Sequence, residues 1–529
     1  MKKSSRRSFL ILASGALAGL SLAACGGAAA TAVTTSAGSV AGTAAAVTSS
    51  AAATSAAVTS AAATSSAAST AAATTSAAAT TSAAASTTAA NAASVATSAA
   101  TSSTAAATSA AAAKAPTPVP TAVPVTLRGT KVTFWHTQSG PNALLLNQMV
   151  LAYNAGQPNY TIVPEYKGSY DDLYKANLAS INAGQPVPLS VAYENQVADY
   201  YSSNLVVPWD DYVNSAQYGL SAADKADFFP AFLELGKFPQ FGNKFLTFPF
   251  AKSLELMWYN ADLLQKAGFA KPPVTWDEFQ QQAMKVGAGG VWGWEFGADA
   301  SRFATWIFSR GADLISADGQ KLMINTPEAQ ASLALLTTLV QAKKVQAPTG
   351  FQSETDFEQQ KTAFYQDSSS ARSYILSALT KANVNINWTA EMPPIGQAGQ
   401  TPSSDLYGGN VTLFKTSAEA QRGAWEFMKY FSAGPQTAKW ALGTGYMPLR
   451  KSATQSADYT TFIKENPRNA VAINGLQSAG NRGEPKVAAW QQVRDILLSM
   501  LQQVIAGTAN AKDALAAADQ KANAALKTS

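Results

Sequence analysis

The chain of 529 residues holds one cysteine, Cys25, and one histidine, His136, and charged side chains make up only 13% of it. A single thiol excludes a disulfide framework, and so small a supply of Cys and His puts zinc and haem sites of ordinary composition out of reach. His136 has no nucleophile or orienting carboxylate near it in sequence, which leaves it without the partners that general-base chemistry needs. Phosphate-binding Gly-x-x-x-x-Gly-Lys-Ser/Thr loops, Gly-x-Ser-x-Gly elbows and calcium loops with spaced aspartates are all missing. These gaps leave no catalytic residue, no metal and no cofactor to name. Carboxylate pairs of a glycan-active enzyme have no fixed spacing, so that alternative stays open. Long apolar runs are lacking too, and none reaches the roughly 18 residues that a membrane-spanning helix needs.

What is present begins with an address. Ser5-Arg6-Arg7-Ser8-Phe9-Leu10 precedes a short apolar stretch that ends in Leu22-Ala23-Ala24-Cys25. A charged start, a short apolar run and a small-residue cleavage site describe an export signal over residues 1–24. The arginine pair resembles a twin-arginine signal, and the last four residues resemble a bacterial lipobox. That motif implies cleavage before Cys25 and lipid on the new N-terminus. The formal net charge of +5 is misleading, because Lys2, Lys3, Arg6 and Arg7 carry four of those charges and lie in the segment to be removed. Nothing basic remains to suggest a nucleic-acid partner, and the lipid would be the sole link to the membrane.

From Gly26 to Ala113 the chain is almost entirely Ala, Ser, Thr, Gly and Val. Ser and Thr compete for backbone hydrogen bonds and no apolar stripe exists to be buried, so this stretch reads as a tether, stiffened at Pro116–Pro124 and ending near residue 126. As a coil of ~90 residues it spans roughly 50 Å. The remaining ~400 residues suffice for two lobes with separate cores. Lys131–Trp135, Thr161–Glu165 and Val187–Tyr193 read as strands, with amphipathic helices at Asn142–Tyr153 and Asp171–Ile181 between them. This order predicts a parallel sheet covered by helices, hence an α/β class. Lys244–Phe248 and Leu254–Tyr259 read as two further strands. Thr275-Trp276-Asp277-Glu278 reads as a capping box, and Thr416-Ser417-Ala418-Glu419 as the start of a helix that Gly434-Pro435 breaks.

Phe134-Trp135-His136, Tyr166-Lys167-Gly168-Ser169-Tyr170, Tyr193-Glu194, Trp258-Tyr259-Asn260 and Thr444-Gly445-Tyr446-Met447-Pro448, in this order and spacing, resemble the extracellular solute-binding proteins of ABC importers. The likeness is to their carbohydrate and glycerol-phosphate branch, with the glycerol-phosphate binders nearest. It implies a two-lobed periplasmic-binding-protein-like fold of type II, with a ligand cleft between lobes joined by crossover segments. The implied lobes are residues 127–250 with 386–450, and residues 251–385 with 451–529. The resemblance places ligand contacts on Tyr170, Glu194, Ser253, Gly408, Tyr446 and Arg494, with Ser373 as the nearest candidate for a serine at the phosphate end. Each suits the task. Glu194 accepts from hydroxyls, Arg494 offers a fork to phosphate, carboxylate or vicinal hydroxyls, the tyrosines give an apolar face with a polar edge, and glycine lets the backbone approach. The expected partners are a sugar, polyol or glycerol phosphate and the membrane subunits of a permease, with the protein a monomer anchored outside the cytoplasm. A glycan-active enzyme or a tethered sugar sensor on a similar scaffold is the alternative. Trp292, Trp294 and Trp306 read equally well as core or as a stacking platform.

Overall fold

The computed structural model describes residues 128–350 and 352–528; the export segment, Cys25 and the Ala/Ser/Thr-rich tether lie outside the described residues. The expected alternation is present as β1 (Thr130–His136), α1 (Gly140–Gly156), β2 (Tyr160–Tyr166), α2 (Tyr170–Asn182), β3 (Leu189–Ala192) and α3 (Glu194–Tyr201). In β1 the buried positions Val132, Phe134 and His136 alternate with more open ones, as a pleated strand requires. In α1 the stripe Leu146, Met149, Val150 and Tyr153 is buried at helical spacing. β1 lies between β2 and β3 and runs parallel to both, with Val132 beside Ile162 and Phe134 beside Leu189.

The sheet continues from β3 into the strand Leu406–Phe414 and then into Phe248–Asn260, both pairings antiparallel. Beyond it lie Thr362–Ser368, Trp292–Phe296 and Val345–Gln346, which build the second half of the sheet. The strand Phe248–Asn260 therefore serves both halves. Phe248 to Leu254 pair with Leu406–Phe414, whereas Glu255 to Tyr259 pair with Thr362–Ser368. All thirteen of its residues are buried. Both strands expected here are present, but the first is only the short hairpin arm Lys244–Phe245 and the second starts at Phe248 rather than Leu254, because burial on both faces erases the alternation that would mark residues 249–253.

Apolar side chains gather in two main cores. One centres on β1, the near part of the crossover strand and the helix Ala418–Phe431, with Phe134, Phe250, Trp425 and Trp440. The other holds Trp276, Phe279, Trp294, Trp306, Leu336, Phe364 and Leu497. Trp294 and Trp306 face each other at 5.3 Å within that second core, so they pack the fold rather than line a cleft. Burying an aromatic side chain of this size contributes roughly 1.5–3 kcal/mol. The capping box at Thr275 is formed, its hydroxyl accepting from the Glu278 N–H. At the later helix the cap is Ser417, not Thr416, and Gly434-Pro435 both ends that helix and opens the next, Gly434–Thr444. Proline suits the first turn because no partner is needed for its missing N–H. No helix among the described residues is long and apolar enough to cross a membrane.

Candidate ligand cleft

The candidate cleft starts where β2 and β3 end. Gly168 turns the chain with a φ of +86°, and Ser169 caps α2 by a capping box with Asp172. This fixes Tyr170 at the first helical position. Tyr193 precedes α3, held by its N–H donating to Gln196 Oε1 at 3.0 Å, and Glu194 opens that helix. The rings of Tyr170 and Tyr193 stack at 4.0 Å and 16°. Burial, followed by the nearness of Tyr446, raises the Tyr170 hydroxyl's pKa, and its bonds to Thr137 and the Gly409 backbone only partly offset that. Both tyrosines stay neutral, as polar edges on apolar plates.

Glu194 meets the crossover strands. Its Oε1 lies 3.2 Å from the ammonium of Lys252, which also donates to the Gly408 carbonyl at 3.3 Å and to Asn410 Oδ1 at 3.4 Å. Lys252 is fully buried. Ser253 and Tyr407 are paired in register, and Gly408 is held at a φ of +102°. A Cβ on Gly408 would sit 2.2 Å from the Ala251 carbonyl oxygen and 3.2 Å from Ser253 Oγ, so only glycine fits. Tyr446 follows the left-handed Gly445 and stacks on Trp440 at 5.8 Å and 6°. Its hydroxyl bonds Gln138 and Ser370.

Thus the structure brings Tyr170, Glu194, Ser253, Gly408 and Tyr446 to one place. Ser373 stands one layer behind, donating to Asn142 Oδ1 at 2.9 Å and to the Ser370 carbonyl at 3.1 Å, which steadies the residue that Tyr446 bonds. Arg494, on the helix Trp490–Ile505, lies across the Tyr193 ring at 5.1 Å and lines a recess with Tyr170, Tyr193 and Asp299. It is already paired, with Asp299 at 3.1 Å and Glu484 at 2.5 Å.

Sequence reasoning missed the charged floor. Arg302 binds Glu255 at 3.2 Å and Asp367 at 2.8 Å, while the Tyr407 hydroxyl donates to Glu255 and that of Tyr365 to Asp367. Asp405 is fully buried and neither of its carboxylate oxygens finds a hydrogen-bond partner. Burial first, then Glu484 and Glu255, hold the pKa of Asp405 well above the usual carboxylate range; burial foremost lifts Glu255 to about 7. In the sequence only the i,i+3 spacing of Asp299 and Arg302 and the i,i+2 spacing of Tyr365 and Asp367 are local, whereas Glu255 and Tyr407 are 152 positions apart. Lys252, Arg302 and Arg494 thus face an excess of carboxylates, Glu194, Glu255, Asp299, Asp367, Glu484 and Asp405 among them, and each of these three cations is already within ion-pair distance of at least one.

Opposing walls of the cleft are bridged. Gln491 accepts from Gln196 Nε2 and donates to Asp171 Oδ1, both at 3.1 Å, and the Tyr374 hydroxyl donates to the Ser139 carbonyl at 3.2 Å. His136 lies buried beside the cleft, and burial lowers its pKa to about 4, so it is neutral at pH 7.

A family model described as bacterial extracellular solute-binding protein matches residues 148–470. The sn-glycerol-3-phosphate-binding periplasmic protein UgpB of Brucella melitensis is 25% identical over 424 residues, a match covering 75% of this chain and 93% of that protein. Among solved structures, UgpB from Mycobacterium tuberculosis in complex with glycerophosphocholine superposes with a TM-score of 0.67 at 17% identity, over 76% of this chain and 99% of that one. The cyclic alpha-maltosyl-1,6-maltose binding protein from Arthrobacter globiformis gives 0.62 at 22% identity, over 76% of this chain and 100% of that one. The fold is the two-lobed α/β architecture of these proteins.

Proposed function

The chain belongs to the bacterial extracellular solute-binding proteins, and from that premise we propose that it captures a neutral polyhydroxylated solute, of sugar type, between Tyr170, Glu194, Ser253, Gly408 and Tyr446 and hands it unchanged to an ABC permease. The observation that carries the choice of solute is the pairing of Arg494 with Asp299 and Glu484. A phosphate would have to compete for a guanidinium that two carboxylates already hold, in a cleft with more acid than base. Hydroxyl groups need no free cation. They can donate to Glu194 and accept from Ser253 and the tyrosines, while the sugar's C–H face lies on an aromatic plate.

Closure supplies the signal. A solute touching both walls stabilises the closed form by as much as it binds that form better, and the permease reads the closed shape. Micromolar affinity corresponds to about 8 kcal/mol in all. We take the lobes as residues 127–250 with 386–450 and residues 251–385 with 451–529, and the protein as a monomer. Cys25 carries the lipid that holds it at the outer face of the membrane. No covalent step occurs in the cleft.

Titration calorimetry of the mature protein tests this against maltose-type oligosaccharides, simple polyols and glycerol 3-phosphate. Micromolar binding of a neutral sugar, recovered intact, is expected. Tight binding of glycerol 3-phosphate with no heat from sugars would reverse the choice of solute, and a chemically altered sugar would point to an enzyme instead.

A further inference from the structure

A second polar cavity lies behind Tyr446, on the side of that residue away from the cleft. Arg372, Arg468, Ser369, Tyr459 and Asn469 bring polar groups to it, between the apolar walls of Leu256, Phe462 and Ile473. No Asp or Glu lines it. Arg372 is buried, its guanidinium donating to the carbonyls of Ala441 and Leu442 at the end of the helix Gly434–Thr444 and lying 5.2 Å from the Phe462 ring. Arg468 is half-buried and rests 4.5 Å from the Trp388 ring. Neither takes part in an ion pair among the described residues, unlike the cations of the cleft floor. Two further groups are unsatisfied. Ser369 Oγ and Asn469 Oδ1 are buried without a hydrogen-bond partner, and an asparagine amide can present its NH₂ in place of its oxygen by a simple flip.

Two guanidiniums without a carboxylate partner, one buried and one half-buried, line a mostly apolar cavity, and an anion between them offsets part of the desolvation cost of the buried one. Burial lowers the pKa of Arg372 to about 10; the Tyr459 phenol opposes that lowering and Arg468 adds to it, and no carboxylate lines the cavity. We propose that this cavity is a binding site for a small monovalent anion of chloride type, held by Arg372 and Arg468 with Ser369 Oγ and the Asn469 amide as donors. Gly445 belongs to the same wall. A Cβ there would stand 2.5 Å from the Ser369 carbonyl and 3.1 Å from Arg372 Nε, so the backbone comes as close to the two groups as glycine permits. An anion at this place ties the segment Gly445–Met447, the start of the helix Ala371–Ala382 and the helix Ala470–Leu476 to one another.

The test needs no solute and so stands apart from the reading of the cleft. Melting of the mature protein is followed in sodium chloride and in sodium gluconate at equal ionic strength, alongside the ³⁵Cl NMR linewidth of chloride. The expected results are a Tm higher in chloride by several degrees and excess broadening that bromide competes away, both lost in Arg468→Gln and reduced in Ser369→Ala. Equal Tm values in the two salts with no excess broadening would overturn the site, as would broadening that Arg468→Gln leaves unchanged. Arg468 is half-buried and its side chain makes no hydrogen bond among the described residues, so its replacement tests charge without dismantling a helix end, as replacing Arg372 would.

Discussion

Replacing Arg494 by alanine takes the guanidinium from both Asp299 and Glu484, leaving Asp299 with Arg302 at 3.8 Å and the Ser301 N–H, and Glu484 with the Ser301 hydroxyl and the Trp490 indole N–H. Breaking a fully buried pair from one side costs about 3–5 kcal/mol, and the partial exposure of Asp299 with the partners that remain brings this down to about 1–3 kcal/mol. Chemical denaturation of Arg494→Ala is expected to show a loss of that size, with binding of neutral sugars weakened through the Tyr193 plate that Arg494 supports. A loss below 1 kcal/mol would show that the pairing carries little. Glu295 offers a pH test. It is buried, and burial foremost raises its pKa from 4.5 to about 8. The folded state therefore binds the proton more tightly than the unfolded one, so this group's stabilisation is complete below about pH 4.5 and is lost as pH rises through 8. Glu295→Gln is expected to lessen the fall in stability between pH 5 and 8 by a few kcal/mol, read from melts across that range. At this scale the sequence reveals residue types better than their partners. Tyr170, Glu194 and Tyr446 stand in recognisable local strings, whereas Arg494 finds Asp299 195 positions away, a distance that no local pattern bridges.

Elements were readable where one face is wet. β1, α1, β2 and α2 show their periods because each has an open side, and their ends fall within a few residues of the expectation. The strand Phe248–Asn260 shows only its end, Leu254–Tyr259, in the sequence pattern, and residues 249–253 escape because the strand has no open side. Its pairing with Leu406–Phe414 turns on Gly408. Gly408→Ala would demand a positive φ from a residue with a Cβ and press that Cβ onto the Ala251 carbonyl. A loss of at least about 2 kcal/mol is expected. Solute affinity should fall with it by tenfold or more, because Lys252 and Ser253 shift together. Wild-type affinity in a folded Gly408→Ala variant would remove this crossing from the site.

For the whole molecule the two-lobed body is legible in the sequence, while the export signal and the tether are expectations read from sharp changes of composition in residues outside those the structure describes. The charge balance of the cleft was hidden, because its carboxylates come from both halves of the chain and meet only on folding. If Cys25 is the anchor, Cys25→Ser should move the protein from the membrane fraction to the medium or periplasmic extract while leaving its sugar affinity unchanged. Retention in the membrane fraction would point to another attachment.

The strand shared by both halves of the sheet has a mechanical meaning as well. A force that draws the two halves apart along Phe248–Asn260 loads its hydrogen bonds to Leu406–Phe414 and to Thr362–Ser368 in shear, many at once, instead of unzipping them singly. Bending the halves about that strand stretches few of these bonds. The body is thus built to yield readily to a hinge motion and to resist extension along the same strand.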